Sequence, residues 1–377
     1  MTGNAIVIGR GPAGLLGASL LRQRGYEVTV IADGQGTLAM WAGDFSFIRA
    51  PGAFETFPIQ RSLTHWLGAF GDVVGLFANF GVALERFDEK VVARTVTATG
   101  NLRPTFLVPS WQYASLEPED LIIVGVDGLA DSIVEAQAAN YRAQTGRQAI
   151  EVRLARPSGW DESWGAIRFA SYLDTDAGLT WLRQELIKGL RSCPRDLAVI
   201  VPQIVGLERT TYLLGRLSED AGRTVREFPL LSPSVGGVRI RDRWEQLLRR
   251  DGVHFISGHV VKVTPAATVT TADGRSFAGD YVLLATGGVL GGGARVTVDG
   301  AIIDELVNRE IGQMHSINDL DRVGHDEIDC LGSGRVLAIG RALGGWNPNR
   351  DHNGGAMVVG SVRMALGMIE EDTRAAL

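Results

Sequence analysis

Residues 5–35 read AIVIGRGPAGLLGASLLRQRGYEVTVIADGQ, and this stretch limits the fold more than any other. An apolar run at Asn4–Ile8 meets a turn holding Gly9, Gly11 and Gly14. A segment with helical spacing follows over Leu15–Arg24, then a β-branched run at Glu27–Ile31. Strand, glycine turn, helix, strand is a βαβ unit, and its two strands lie parallel in one sheet. Each glycine has a task in such a unit. Gly9 permits the tight turn, Gly11 lets a pyrophosphate sit against the backbone, and Gly14 lets the helix pack close to the strand. Pro12 and Ala13, in the same turn, are expected cofactor contacts, and the free N–H groups and positive dipole end of the helix that follows face the phosphates. The motif follows a strand and opens a helix, so it reads as a dinucleotide site for a flavin or nicotinamide cofactor. The competing reading is a glycine turn that serves packing alone.

Such a site expects an acidic residue about 20 positions on, at the end of the second strand, to hold a ribose. Counting places Ala32 there, with Asp33 one residue later. A shift of one residue near a strand end turns the side chain another way. Three outcomes stay open. Either Asp33 still reaches the ribose, or the ribose is held by backbone or water, or is missing from the ligand.

Composition narrows the class. At 377 residues the chain has room for two domains with real cores, or one domain with a large insertion. It holds 48 glycines, well above the usual ~7%, and they cluster in turns between apolar runs. A net charge of −6 argues against nucleic-acid or anionic-membrane partners. The cysteines, Cys193 and Cys330, lie far apart. They fall short of the roughly four thiolates an iron–sulfur cluster needs, and no disulfide is expected between them. The N-terminus enters a strand at once and no run approaches the ~20 apolar residues of a membrane span. A cytoplasmic location is therefore expected.

Two later segments fit the same site. Tyr281–Gly288 is an apolar strand ending in Ala285-Thr286-Gly287-Gly288, after a hairpin. It resembles the strand that returns the chain to the cofactor domain in flavoproteins with two dinucleotide-binding domains. In that resemblance the preceding His259–Val263 is the strand whose backbone meets the adenine, with Val260 as the contact. Near the C-terminus an apolar strand runs to Gly340, and Gly354-Gly355-Ala356 opens a last helix. The resemblance points that helix start at the pyrimidine edge of a flavin, where its dipole stabilises negative charge. Trp41-Ala42-Gly43-Asp44 stands where similar folds pass under the flavin ring, so Ala42 and Gly43 are expected backbone contacts.

The chain as a whole is similar to the B subunit of the anaerobic glycerol-3-phosphate dehydrogenase complex. The likeness is carried by TATGNLRPTFLVPS (97–110), IIVGVDGLAD (122–131), IRFASYLD (167–174), PSVGGVRIRDRWEQLL (233–248), LATGGVLGGG (284–293) and GRALGGWNP (340–348). It implies an α/β fold: a Rossmann-like flavin-binding domain of the glutathione-reductase type with an inserted α+β domain. Residues 1–50, 236–290 and 335–377 then form the flavin-binding domain, 51–235 an inserted substrate or interaction domain, and 291–334 its return. It also implies a flavoprotein subunit of a quinone-linked enzyme, partnered by a catalytic flavoprotein subunit and an iron–sulfur subunit. Contact with the membrane would run through those partners. The family is described with FMN. The glycine turn is shaped for a pyrophosphate, which favours FAD, and FMN stays as the alternative. This chain is somewhat short for the family and carries Arg350-Asp351-His352-Asn353 before the last helix.

For the reaction, hydride transfer to a flavin calls for a donor carbon held near the ring and a base for the hydroxyl proton. His352 precedes Gly354 by two residues and titrates in the right range. Arg239 and Arg241, in GGVRIRDRW, are candidates to hold an anionic substrate or the flavin, Arg239 ahead, with Arg103 and His315 behind them. The structural alternatives are a capping histidine and a solvated basic helix face. A self-sufficient oxidoreductase of the fumarate reductase or ketosteroid dehydrogenase type, and a non-catalytic flavin-fold scaffold, are the competing functions.

Overall fold

The computed structural model describes residues 3–45, 63–87, 93–161, 163–289, 291–316, 319, 323–345, 347 and 354–375. Two parallel sheets organise them. In chain order their strands are β1 (Asn4–Ile8), β2 (Glu27–Ala32), β3 (Leu121–Val126), β4 (Ala149–Leu154), β5 (Ala198–Pro202), β6 (Val225–Phe228), β7 (His254–Ser257), β8 (Tyr281–Leu284) and β9 (Val336–Ala338). The helices are α1 (Pro12–Gln23), α2 (Leu63–Asn79), α3 (Val134–Thr145), α4 (Ala166–Leu173), α5 (Asp176–Leu190), α6 (Thr210–Ala221), α7 (Val235–Arg250) and α8 (Gly354–Ala375). None of the described helices is long and apolar enough to cross a membrane.

The chain divides into two compact units: Met1–Thr37, Arg49–Gly81 and Arg243–Leu377 in the first, Leu38–Ile48 and Val82–Asp242 in the second. The sheet of the first runs β7-β2-β1-β8-β9, all parallel. Numbered within the unit, that order is 3-2-1-4-5, the doubly wound arrangement of a Rossmann-like fold. Strands β1, β8 and β9 are near-continuous buried apolar runs because both their faces are covered. Helix α1 lays Leu15, Leu16, Leu20 and Leu21 into the core. Ser19 on the same helix takes a hydrogen bond from Trp244 Nε1 at 2.8 Å, and Trp244 stacks with Phe80 and meets Phe77 edge-on.

Two stretches assigned to the insertion from sequence fall in this first unit instead. Helix α2 meets α8, with Asp72 and Arg363 3.1 Å apart. Residues 295–313 carry a small antiparallel sheet, and the turn after its middle strand meets the strand Val260–Val263, where Leu306 O accepts Val263 N–H at 2.9 Å.

The second unit has its own parallel sheet, ordered β6-β5-β3-β4. Numbered within the unit this is 4-3-1-2, the flavodoxin-like winding read from the other side. All six residues of β3 are buried. Tyr141 on α3 donates to Glu119 O at 2.7 Å.

Candidate functional site

In a doubly wound sheet, ligands bind beyond the carboxyl ends of the strands, where the strand order reverses. In the first unit that point lies between β1 and β8. Gly9 and Ala285 follow those two strands, and Ala285 N–H donates to Ile8 O at 2.9 Å. A cavity of about 260 Å³ opens there. Its lining includes Gly9, Gly11, Asp33, Val260, Thr286 and Gly287.

The phosphate turn owes its shape to contacts that only glycine permits. Gly9 has φ +106, and a Cβ there would sit 2.3 Å from Ala285 O. A Cβ on Gly14 would lie 2.0 Å from Gly9 O, so α1 is as close to its own turn as a backbone allows. Gly11 is different. Its Cβ position meets only Thr37 Oγ1, at 3.6 Å, so its hydrogen is not needed for packing and its open side faces the cavity. Helix α1 has no side-chain cap and no acidic residue in its first turn. Its first N–H groups have no acceptor within the helix, and the positive dipole end is left for an anion. This cradle fits a diphosphate.

The rim is polar. Arg10 Nε donates to Gly34 O at 2.5 Å and its Nη1 lies 3.5 Å from Glu245. Arg295 pairs with Glu305 at 2.5 Å, and Asp33 with His259 at 3.2 Å. Among the described residues, no cluster of His, Cys, Asp and Glu is arranged to hold a metal ion.

The expected contacts divide. Gly9, Gly11, Asp33, Val260, Ala285, Thr286 and Gly287 come together on the cavity. Pro12, Ala13 and Gly14 stand behind it at the start of α1. Gly340 supports that helix, because a Cβ on it would be 2.5 Å from Ala13 Cβ. Gly354, Gly355 and Ala356 open α8 as expected. Ala42 and Gly43 belong to the second unit, where a Cβ on Gly43 would come within 3.0 Å of Ile240. His352 lies outside the described residues.

Arg239 requires a correction. It is 1% exposed, not on a solvated helix face and not open to a substrate. Its Nη1 and Nη2 donate to the two oxygens of Glu227 at 2.5 and 3.0 Å, and its Nε to Gly206 O at 2.7 Å. Its guanidinium also lies over the Trp111 ring. Burial pushes the Glu227 carboxyl upward, and Arg239 pulls it back. The pair is internal structure. The weaker candidates are likewise engaged: Arg103 with Asp44 at 2.5 Å and Arg241 with Asp242 at 2.7 Å.

Sequence reasoning passed over Arg10 and His259, although both line the cavity. His259 was legible only as the head of the strand His259–Val263; the chain places it in the turn between β7 and the strand Val260–Val263.

No family model matches the chain. It is similar to the B subunit of the anaerobic glycerol-3-phosphate dehydrogenase of Actinobacillus pleuropneumoniae, 24% identical over 332 residues, covering 78% of this chain and 76% of that one. The probable B subunit of the same type from Halobacterium salinarum is 23% identical over 406 residues, with 94% of each chain covered. Among solved structures, MibH, a lathipeptide tryptophan 5-halogenase, superposes with a TM-score of 0.35 at 12% identity, over 97% of this chain and 66% of that one. A 3-ketosteroid delta1-dehydrogenase from Sterolibacterium denitrificans gives 0.30 at 13% identity, over 76% and 48%. Superpositions this loose carry no argument about function. The similarity spans most of the chain, and the resemblance read from the motifs is borne out: this chain is similar to the B subunits of anaerobic glycerol-3-phosphate dehydrogenases.

Proposed function

We propose that the chain is an FAD-binding subunit of a quinone-linked glycerol-3-phosphate dehydrogenase complex and passes electrons to partner subunits. The observation that carries this reading is the open diphosphate cradle at the strand-order reversal of the first unit. Gly9 and Gly14 hold the turn shut against β8 and α1, while Gly11 and the uncapped helix start are left for a ligand. FAD is favoured over FMN because the cavity continues past the turn, along Asp33 to Val260. A mononucleotide on the turn would leave that side of the cavity unused.

When bound, a flavin supplies reversible two-electron chemistry. The protein's share is to hold the diphosphate on backbone N–H groups, close the nucleotide end with Asp33 and Val260, and orient the ring. The two cysteines of the chain are too few to ligate an iron–sulfur cluster, so onward electron transfer falls to partners: a catalytic flavoprotein subunit and an iron–sulfur subunit. Arg239, spent on Glu227, gives no support to an acid–base set of the chain's own. His352 is kept as the proposed proton acceptor should substrate bind here.

The test is anaerobic mixing with glycerol 3-phosphate. In this reading the visible flavin band of the isolated chain stays oxidised and bleaches only when the other subunits are present. Bleaching of the chain alone favours the self-sufficient oxidoreductase. A band that never bleaches, even in the complete complex, leaves a scaffold.

A further inference from the structure

The first unit buries a carboxylate and an imidazole that take no part in the diphosphate cradle. Asp304 and His325 are 1% and 3% exposed, and His325 Nε2 is hydrogen-bonded to Asp304 Oδ2 at 2.8 Å. The other carboxylate oxygen accepts Leu306 N–H at 2.9 Å. Asp304 ends the strand Ala301–Asp304, and the turn that follows, Glu305–Leu306, lines the cavity. Since Leu306 O takes Val263 N–H, both backbone groups of that wall residue are held. His325 grips a different part of the unit. Its N–H donates to Ala342 O at 2.8 Å, and its carbonyl accepts Gly344 N–H at 2.9 Å. Gly324 permits this approach, with φ +131 and a Cβ direction 2.3 Å from Gly344 N. The gripped segment follows β9 and begins at Gly340, which backs Ala13 at the start of α1 and donates its N–H to Ser361 Oγ at 2.8 Å.

We propose that Asp304 and His325 are positioning residues for the flavin: the buried pair fastens the Glu305–Leu306 wall of the cavity to the segment that supports the phosphate turn. The inference rests on the flavin reading above. Asp304 accepts a backbone N–H on one oxygen and acts as acceptor on the other, so Nε2 carries the proton of the shared bond. Cys330, beside the carboxylate, does not compete for that proton; burial first, and the Asp304 charge second, push its thiol up to about 12. As a source of stability the pair is poor. Desolvation offsets the attraction of a buried ion pair, and His325 Nδ1 is buried with no partner among the described residues, which adds to the cost. Well-packed apolar side chains would serve stability as well or better. What they could not supply is the link from Leu306 N–H through to Ala342 and Gly344.

The experiment reads three quantities on the purified chain: FAD dissociation on dilution, the visible circular dichroism of the bound flavin, and the thermal midpoint of the flavin-free chain. His325→Leu strands the carboxylate, so it should lower the midpoint and weaken FAD binding by about tenfold or more. Asp304→Ala/His325→Leu removes both partners. Its midpoint should rise again, while binding stays about tenfold weak because the link is still missing. Asp304→Asn keeps an acceptor for Leu306 N–H and offers a donor to the ring, so binding within about threefold of the unaltered chain is expected, with the dichroism kept. Tyr281→Phe is the control. It removes a 2.7 Å hydrogen bond to Asp372 at the amino end of β8, and it should lower the midpoint with FAD binding unchanged.

Binding that recovers together with the midpoint in the double variant overturns the positioning role and leaves a structural pair. So does an Asp304→Asn chain that binds FAD no better than the double variant. Should His325→Leu fail to fold, the double variant and Asp304→Asn decide. An unaltered chain that binds no flavin overturns this proposal and the flavin reading together, whereas an unaltered chain that binds FAD and is indifferent to both side chains overturns this proposal alone.

Discussion

The sheet built on β1 and the sheet built on β3 are both parallel and doubly wound, and both leave their central strand through a glycine turn. They treat that turn in opposite ways. After β1, the Cβ direction of Gly11 finds nothing nearer than Thr37 Oγ1 at 3.6 Å, and α1 begins without a cap. After β3, Gly128 has φ +87 and its Cβ direction runs into Trp160 at 3.0 Å. The helix start at the next switch-point strand is filled too. Asp174 accepts N–H bonds from Leu207, Glu208 and Arg209, at 2.7, 3.2 and 3.2 Å, where α6 begins. A helix N-terminus attracts an anion wherever it occurs; in the second unit the chain provides that anion itself. Winding alone therefore does not make a binding site. The turn must also be left empty.

The largest expected effect lies in the second unit and should leave the cofactor alone. Arg239→Met strands the buried Glu227 carboxylate and should cost about 3–5 kcal/mol in chemical unfolding, with the flavin content of the folded fraction unchanged. A specific loss of flavin or of turnover, with stability kept, would restore Arg239 to the chemistry. Next comes Gly14→Ala in the first unit. Its new methyl meets the Gly9 carbonyl, so about 3 kcal/mol of strain is expected, together with loss of flavin. Retention of both would mean the turn can relax and is not a tight cradle.

Asp174→Ala should cost about 1–2 kcal/mol, because three N–H groups lose their acceptor. Added sulfate should return part of it, and the thermal midpoint read with and without the salt decides this. Gly11→Ala should change stability by less than about 0.5 kcal/mol, yet weaken nucleotide binding by about tenfold or more, since its methyl enters the space kept for the diphosphate. A stability loss equal to that of Gly14→Ala would place Gly11 among the packing glycines. The smallest effect is chemical. Burial pushes the Cys330 thiol of the first unit up to about 12, so near neutral pH alkylation of the native protein should label the half-buried Cys193 and spare Cys330.

The β1–α1–β2 segment was legible because its information is local: apolar runs and three glycines at fixed spacing. The observed elements depart from that reading by a few residues at the helix ends. Helix α7 begins at Val235, although Gly236 and Gly237 look like breakers in isolation. In the fold they are helical. A Cβ on Gly237 would lie 1.8 Å from Leu38 O, a contact between distant parts of the chain that no local pattern carries. Arg239 was misjudged for the same reason. Its partner Glu227 sits on another element, so a buried ion pair passed for an exposed basic face. The small sheet at 295–313 went unseen because its strands are two to five residues long and alternate weakly. His259 was read only as the head of a strand, because its neighbour Asp33 stands far away in the chain and no local pattern carries that pairing.

The most direct test of the open turn is to purify the chain, denature it, and identify the released nucleotide by chromatography and mass. The account predicts FAD, with both phosphates on the Gly9–Gly14 turn and the adenosine beside Asp33. Release of FMN alone would contradict the use made of the cavity, and release of no flavin would contradict the claim that the first turn is kept open for one.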